Sequence, residues 1–215
     1  MIKKTKITSD IAFYRSYYLS TLSEINDELE KFNNNEQPDE NSYFPSVPSP
    51  LYIIDIINKC NESGFNFLDI GCGFGNLLKV AEKMGMNADG IELNESLSKY
   101  HKDLNVFYID ALKQEFDYNK YDVIYLFRPI FDNAKAEELF ANIIKTAKIG
   151  CVIIYLEPHW DFDEYYEDES VSSLFNFNKK VQGYNKKLIC EASARIKDKG
   201  SYSACGIFRV FSKIG

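Results

Sequence analysis

The stretch Phe67-Leu68-Asp69-Ile70-Gly71-Cys72-Gly73-Phe74-Gly75-Asn76 constrains this chain more than any other: an apolar strand carrying an acid breaks into alternating glycines. Glycine lacks the Cβ that holds a backbone away from a ligand and tolerates positive φ, so the run lets a strand turn sharply into a helix. The spacing predicts that helix over Asn76 to Met84, its free N–H groups aimed at whatever fills the loop. Such a loop reads as a nucleotide site.

Two ligand classes use it. The dinucleotide fingerprint G-x-G-x-x-G requires a third glycine for close helix–strand packing, and here that position is Asn76. A second short strand, Ala88 to Leu93, carries Glu92 about 20 residues after the first glycine, the position of a ribose-binding carboxylate. Charge-assisted bonds from ribose hydroxyls to such a group contribute about 1.5 to 3 kcal/mol. That feature alone fits NAD as well as S-adenosylmethionine. A third strand, Asn105 to Asp110, ends in another acid, followed by Ala111-Leu112. Dinucleotide enzymes do not require this acid.

The order apolar-apolar-Asp-apolar-Gly-x-Gly-x-Gly resembles motif I of the class I S-adenosylmethionine-dependent methyltransferases, and Asp110-Ala111-Leu112 looks like the signature that holds the adenine amino group in that family. The resemblance implies an α/β fold, a doubly wound Rossmann-like sheet of seven strands, mostly parallel, closed by a C-terminal antiparallel hairpin. It implies S-adenosyl-L-methionine as cofactor, met by Asp69, Gly71, Cys72, Gly73, Gly75, Asn76, Glu92, Leu93, Asp110, Ala111 and Phe127. Within that set Asp69 would order the loop and the methionine end, Glu92 the ribose, and Asp110 the adenine. Three strand-end acids on a parallel sheet would gather along its C-terminal edge, where open α/β folds bind ligands.

Strand and helix patterns continue the alternation. Tyr121 to Phe127 reads as the fourth strand, Asp132 to Lys148 as a helix capped by Asp132, and Ile149 to Leu156 as the fifth strand. A short helix is expected over Val171 to Lys180, then two β runs, Leu188 to Ile196 and Ala204 to Phe211. The turn Asp198-Lys199-Gly200-Ser201 separates them, so they should pair as a hairpin.

The first 49 residues are organised differently, giving an expected division into an N-terminal extension, 1–49, and a cofactor-binding domain, 50–215. Ile11, Tyr14, Tyr18, Leu22, Ile25, Leu29 and Phe32 form the stripe of an amphipathic helix, with Ser9 or Asp10 available as N-cap. That stripe would cover its own domain or a second protomer, making the protein a monomer or a homodimer through this helix. Asn33 to Pro50 is Asn-, Pro- and Ser-rich and reads as a linker. In enzymes of the resembled family segments at this point often fold over the cofactor, so the resemblance makes Tyr43 and Phe44 candidates for a lid. Ser49-Pro50 then starts a helix that Gly64 closes.

Composition narrows the partners. With 215 residues, 45% of them hydrophobic, the chain can bury a full core, and a net charge of −7 opposes a broad phosphate-binding surface, which disfavours nucleic acid. Five scattered cysteines without a C-x-x-C pair and two histidines indicate no disulfide framework and no metal. The apolar run Cys151 to Leu156 is too short to span a bilayer, so a cytoplasmic protein with reduced thiols is expected.

Methyl transfer from a sulfonium is an in-line displacement that needs alignment rather than a diagnostic nucleophile. At the end of the fourth strand, where the resembled enzymes meet their acceptor, stand Phe127-Arg128-Pro129-Ile130. This departs from the Asn/Asp-Pro-Pro-aromatic pattern of enzymes that methylate nucleic-acid bases or glutamine amides. Arg128 could hold an anionic group on the acceptor, and the acidic, aromatic run Glu157 to Glu169 suits an amine. His159 is a candidate base, whereas His101 reads as structural, on a helix away from the chemistry. Acceptor-side candidates are thus Arg128, Pro129, His159 and Tyr43, the acceptor a small molecule or amine-bearing group. A non-catalytic cofactor-binding or assembly protein is the main rival reading, and an NAD-dependent oxidoreductase the weaker one.

Overall fold

The computed structural model describes residues 11–35, 54, 57–58, 64–127, 129–130, 133–160, 186–195 and 204–213. The chain forms two compact units, Met1–Tyr108 and Ile109–Gly215. Five strands lie in parallel pairs, three in the first unit and two in the second, in an α/β arrangement.

In the first unit β1 (Asn66–Ile70) is flanked by β2 (Asn87–Glu92), which pairs in turn with β3 (Asn105–Tyr108). Register runs Asn66↔Asn87 to Ile70↔Ile91, then Asp89↔Asn105 to Glu92↔Tyr108. The near-continuous apolar run of β1 reflects burial on both faces, as parallel strands require. Helix α2 (Asn76–Lys83) buries Leu77, Leu78, Val80 and Ala81, and it packs on β1 and β2. Gly90 makes that approach possible, because a Cβ there would lie 2.7 Å from both Cys72 Sγ and Leu78 Cδ1.

Helix α1 (Ile11–Asn35) covers its own unit. Tyr18, Thr21 and Ile25 are buried, and Ile25 joins Phe74 of the glycine loop and Leu97, with Leu22 and Tyr100 packed around them. The Phe74 and Tyr100 rings meet edge to face, 4.8 Å between centroids. The expected caps Ser9 and Asp10, the linker with Tyr43 and Phe44, and most of the helix after Pro50 lie outside the described residues; Ile54, Ile57 and Asn58 are helical, and Gly64 has φ 87°.

In the second unit β4 (Val123–Phe127) pairs in parallel with β5 (Val152–Trp160), and α3 (Asn133–Thr146) buries Leu139, Phe140, Ile143 and Ile144. β5 then aligns antiparallel with β7 (Ala204–Lys213), and β7 with β6 (Lys186–Arg195), with a register irregularity between Leu188 and Cys190. Lys213 donates to the carbonyls of Lys145 and Ala147, at 3.0 and 2.5 Å, which satisfies acceptors where α3 ends.

Several boundaries differ from those expected. β3 stops at Tyr108, two residues before Asp110, and β4 starts at Val123, because Tyr118–Lys120 forms a short 3-10 helix that Tyr121 terminates. β5 continues past Leu156 to Trp160 despite Pro158. The register explains this: β4 pairing ends at Phe127↔Leu156, so among the described residues only β7 pairs at Pro158, and a proline is tolerated where one side has no ladder to donate to. Asp132, the 171–180 helix and the 198–201 turn lie outside the described residues.

Candidate functional site

The loop leaving β1 is built by glycine backbone. Gly71, Gly73 and Gly75 have φ 77°, 55° and 74°, left-handed values that a β-branched residue adopts only with strain. The Gly71 and Cys72 amides both donate to the Ile91 carbonyl at 2.8 and 3.0 Å, and the Gly75 amide donates to Cys72 O at 2.9 Å. This pins the turn to β2. At Gly75 the loop is also closed from outside, since a Cβ would collide with Leu104 Cδ1 and sit 3.2 Å from His101 Cδ2.

Glu92, the last residue of β2, reaches into this turn. Its carboxylate accepts the Gly73 N–H at 2.8 Å through Oε2 and the Asn94 N–H at 2.9 Å through Oε1. The Gly73 and Asn94 N–H groups orient the carboxylate, and an ionised carboxylate keeps acceptor capacity for a ligand hydroxyl.

His101 lies on the loop, contrary to its reading as a residue remote from the chemistry. The segment after β2 is a 3-10 helix, Glu95–Tyr100, for which His101 is the C-cap, and the chain turns there so that the imidazole covers the glycines. Nε2 is 2.7 Å from the Gly73 carbonyl, and Nδ1 is 2.7 Å from the Tyr108 hydroxyl at the end of β3. No local motif signals this contact. It is made by a tertiary return of the chain.

Burial dominates the electrostatics. Asp69, 3% exposed, has its carboxyl pushed up to about 8 by burial and then by the neighbouring Glu92 charge. Glu92 is also raised by burial, against the opposing hydrogen bonds from Asn94, Gly73 and Leu93. Of the two, Glu92 has the backbone donors that stabilise an anion, so Asp69 holds the proton at neutral pH. Burial, then Asp69 and Glu92, push the Cys72 thiol well above its ordinary range, and burial with Asp69 does the same to the Tyr18 phenol. Cys72 is therefore an inert thiol rather than a nucleophile.

The other expected site residues fall as follows. Leu93, beside Glu92, is 51% exposed, an apolar side chain left bare at the strand end. Asn76 is the buried first residue of α2, and its Nδ2 finds no acceptor among the described residues. Asp110 accepts the Leu112 N–H at 3.0 Å and pairs with Lys113 at 3.0 Å. Burial would raise it, but the Lys113 and Leu112 contacts outweigh that and hold it below the usual carboxylate range. Ala111, Phe127 and Pro129 are half-buried. His159 is on β5 opposite Cys205, its side chain outside the description, and Arg128, Tyr43 and residues 161–169 lie outside the described residues.

Among the described residues no three His, Cys, Asp or Glu side chains converge to hold a metal ion, and no helix is long and apolar enough to cross a membrane.

Solved structures share this architecture. An S-adenosylmethionine-dependent methyltransferase from Methanosarcina mazei is 13% identical with a TM-score of 0.61, covering 74% of this chain and 97% of that one. One from Clostridium acetobutylicum, 13% identical with a TM-score of 0.58, covers 92% and 99%. A Haemonchus contortus phosphoethanolamine N-methyltransferase, solved with phosphomonomethylethanolamine and S-adenosylhomocysteine, is 16% identical with a TM-score of 0.58, over 92% of this chain and 59% of that one. The fold is that of the class I S-adenosylmethionine-dependent methyltransferases. No curated protein matches the sequence. The family described as methionine biosynthesis protein MetW matches residues 52–165, more than half of the chain, and the chain belongs to that family.

Proposed function

We propose that this protein is an S-adenosylmethionine-dependent methyltransferase that acts on a small or amine-bearing acceptor by direct in-line transfer. The observation that carries the reading is the Glu92 carboxylate, anchored by two backbone N–H groups, one of them from the glycine loop itself. A carboxylate fixed in this way beside side-chain-free backbone fits a ribose, and the exposed Leu93 next to it fits the face of an adenine. Asp110, Ala111 and Phe127 complete the proposed adenosyl contacts, and the loop from Asp69 to Asn76 takes the methionine end. When bound, the cofactor supplies an electrophilic methyl group on a positively charged sulfur. The protein's part is to hold the donor, orient the acceptor and exclude water.

On the acceptor side the proposed residues are Arg128, Pro129, His159 and Tyr43. An amine acceptor is supported by the acidic composition and by the phosphomonomethylethanolamine bound in the Haemonchus neighbour. In this reading one seven-stranded sheet, closed by the C-terminal hairpin, forms the catalytic domain 50–215. Residues 1–49 are an N-terminal appendage, and the chain works as a monomer or as a homodimer through α1.

Incubation with methyl-labelled cofactor and a cell extract separated into metabolites, protein and RNA tests the proposal. Label in the metabolite or protein fraction that is lost in Gly73→Val is expected. Cofactor binding without label in any fraction would mark a non-catalytic binder, and label in RNA alone would overturn the acceptor class.

A further inference from the structure

The imidazole of His101 meets the Gly73 carbonyl and fills the space a Cβ on Gly75 would need, yet is only 4% exposed, so it acts on a ligand through the loop rather than by contact. We propose that His101, oriented by Tyr108, is a positioning residue for cofactor binding: it fixes the Gly73–Phe74 peptide while Glu92 fixes the Cys72–Gly73 peptide. The inference rests on the methyltransferase reading and adds to it the device that holds the loop open.

The two dihedrals of Gly73 are the torsions between those two planar peptides, so anchoring both planes sets its φ and ψ together. A glycine held at one end only would sample many conformations, and that freedom would be lost again on binding. The Glu92 bond to Gly73 N–H, 2.8 Å, and the His101 bond to Gly73 O, 2.7 Å, remove it beforehand. Because no peptide among the described residues is cis, the Phe74 N–H is turned to the side opposite His101.

The hydrogen positions follow from donor and acceptor capacity. A carbonyl only accepts, so Nε2 must carry the hydrogen. In the neutral ring Nδ1 is then the acceptor, and the Tyr108 hydroxyl donates to it across 2.7 Å, with the two rings near parallel at 26° and 5.9 Å. Burial, with Lys79 adding to it and the Gly73 bond opposing it, holds the imidazole below its ordinary pKa, consistent with a neutral ring.

Three variants and one spectrum test this. His101→Leu keeps bulk but removes the donor, His101→Gln keeps an N–H for Gly73, and Tyr108→Phe removes only the hydroxyl that sets the tautomer. Calorimetric Kd for S-adenosylhomocysteine should rise about tenfold or more in His101→Leu, by about threefold in Tyr108→Phe, and by less than about threefold in His101→Gln. Nitrogen-15 spectra of the ligand-free wild type should show one neutral histidine with hydrogen on Nε2. Hydrogen on Nδ1, a His101→Leu variant that binds like wild type, or a glutamine variant as weak as the leucine one would overturn the proposal. If His101→Leu does not fold, Tyr108→Phe and the spectrum decide. A wild type that binds no S-adenosylhomocysteine would sink the methyltransferase reading as well, whereas loss confined to the comparison among variants would sink this inference alone.

Discussion

Asp69, buried on β1 just ahead of the glycine loop, has a protonation of measurable sign. The unfolded chain loses this proton near the ordinary value of 3.8, whereas the folded protein keeps it until about 8. Between those values the native state binds more protons than the unfolded one, so stability falls as pH rises through that window. Glu92, also raised by burial, works in the same direction. Thermal or urea unfolding from pH 5 to pH 8 should show a decline on the order of 2 kcal/mol, and Asp69→Asn should flatten most of it. An equal slope in the variant would place the titrating group elsewhere. At this scale the sequence was readable wherever spacing encodes chemistry: the glycines at positions 71, 73 and 75 take the left-handed φ that their pattern implied. His101 was not readable, because its partners, Gly73 and Tyr108, are joined to it by folding rather than by spacing.

Among the elements, α1 shows how far an apolar stripe can be followed. Its period pointed to one covered face: Tyr18 and Ile25 of that stripe are buried, Ile25 against the loop's Phe74 and Leu97 with Leu22 packed beside them, and Thr21, outside the stripe, is buried as well. Ile25, at 4% exposure, should cost about 2 to 4 kcal/mol when cut to Ala, since the cavity would open between α1 and the loop. Leu19→Ala, at a position 51% exposed, should cost less than about 0.5 kcal/mol. Denaturant melts of the two variants check this, and equal losses would mean that α1 is not docked as described. Strand ends were less legible than strand centres. Propensity places a stop at Pro158, but β5 continues because its pairing partner on one side has already ended and the proline has no bond to forgo there.

For the whole molecule, one glycine turn after the first strand, and apolar runs with a closing acid repeated in βα order, were enough to reach the class I methyltransferase fold, because each of those signals is local. The acceptor was not reachable in the same way: in-line methyl transfer demands geometry and leaves no required nucleophile in the chain. The central claim is that the turn held by Glu92 receives an adenosyl group. Titration calorimetry with S-adenosylmethionine, S-adenosylhomocysteine and NAD, on the wild type and on Glu92→Ala, tests it most directly. One site for the two sulfur compounds, no heat with NAD, and a ten- to hundredfold weaker Kd in the variant, about 1.5 to 3 kcal/mol, are expected. Binding of NAD alone, or an affinity untouched by Glu92→Ala, would contradict it.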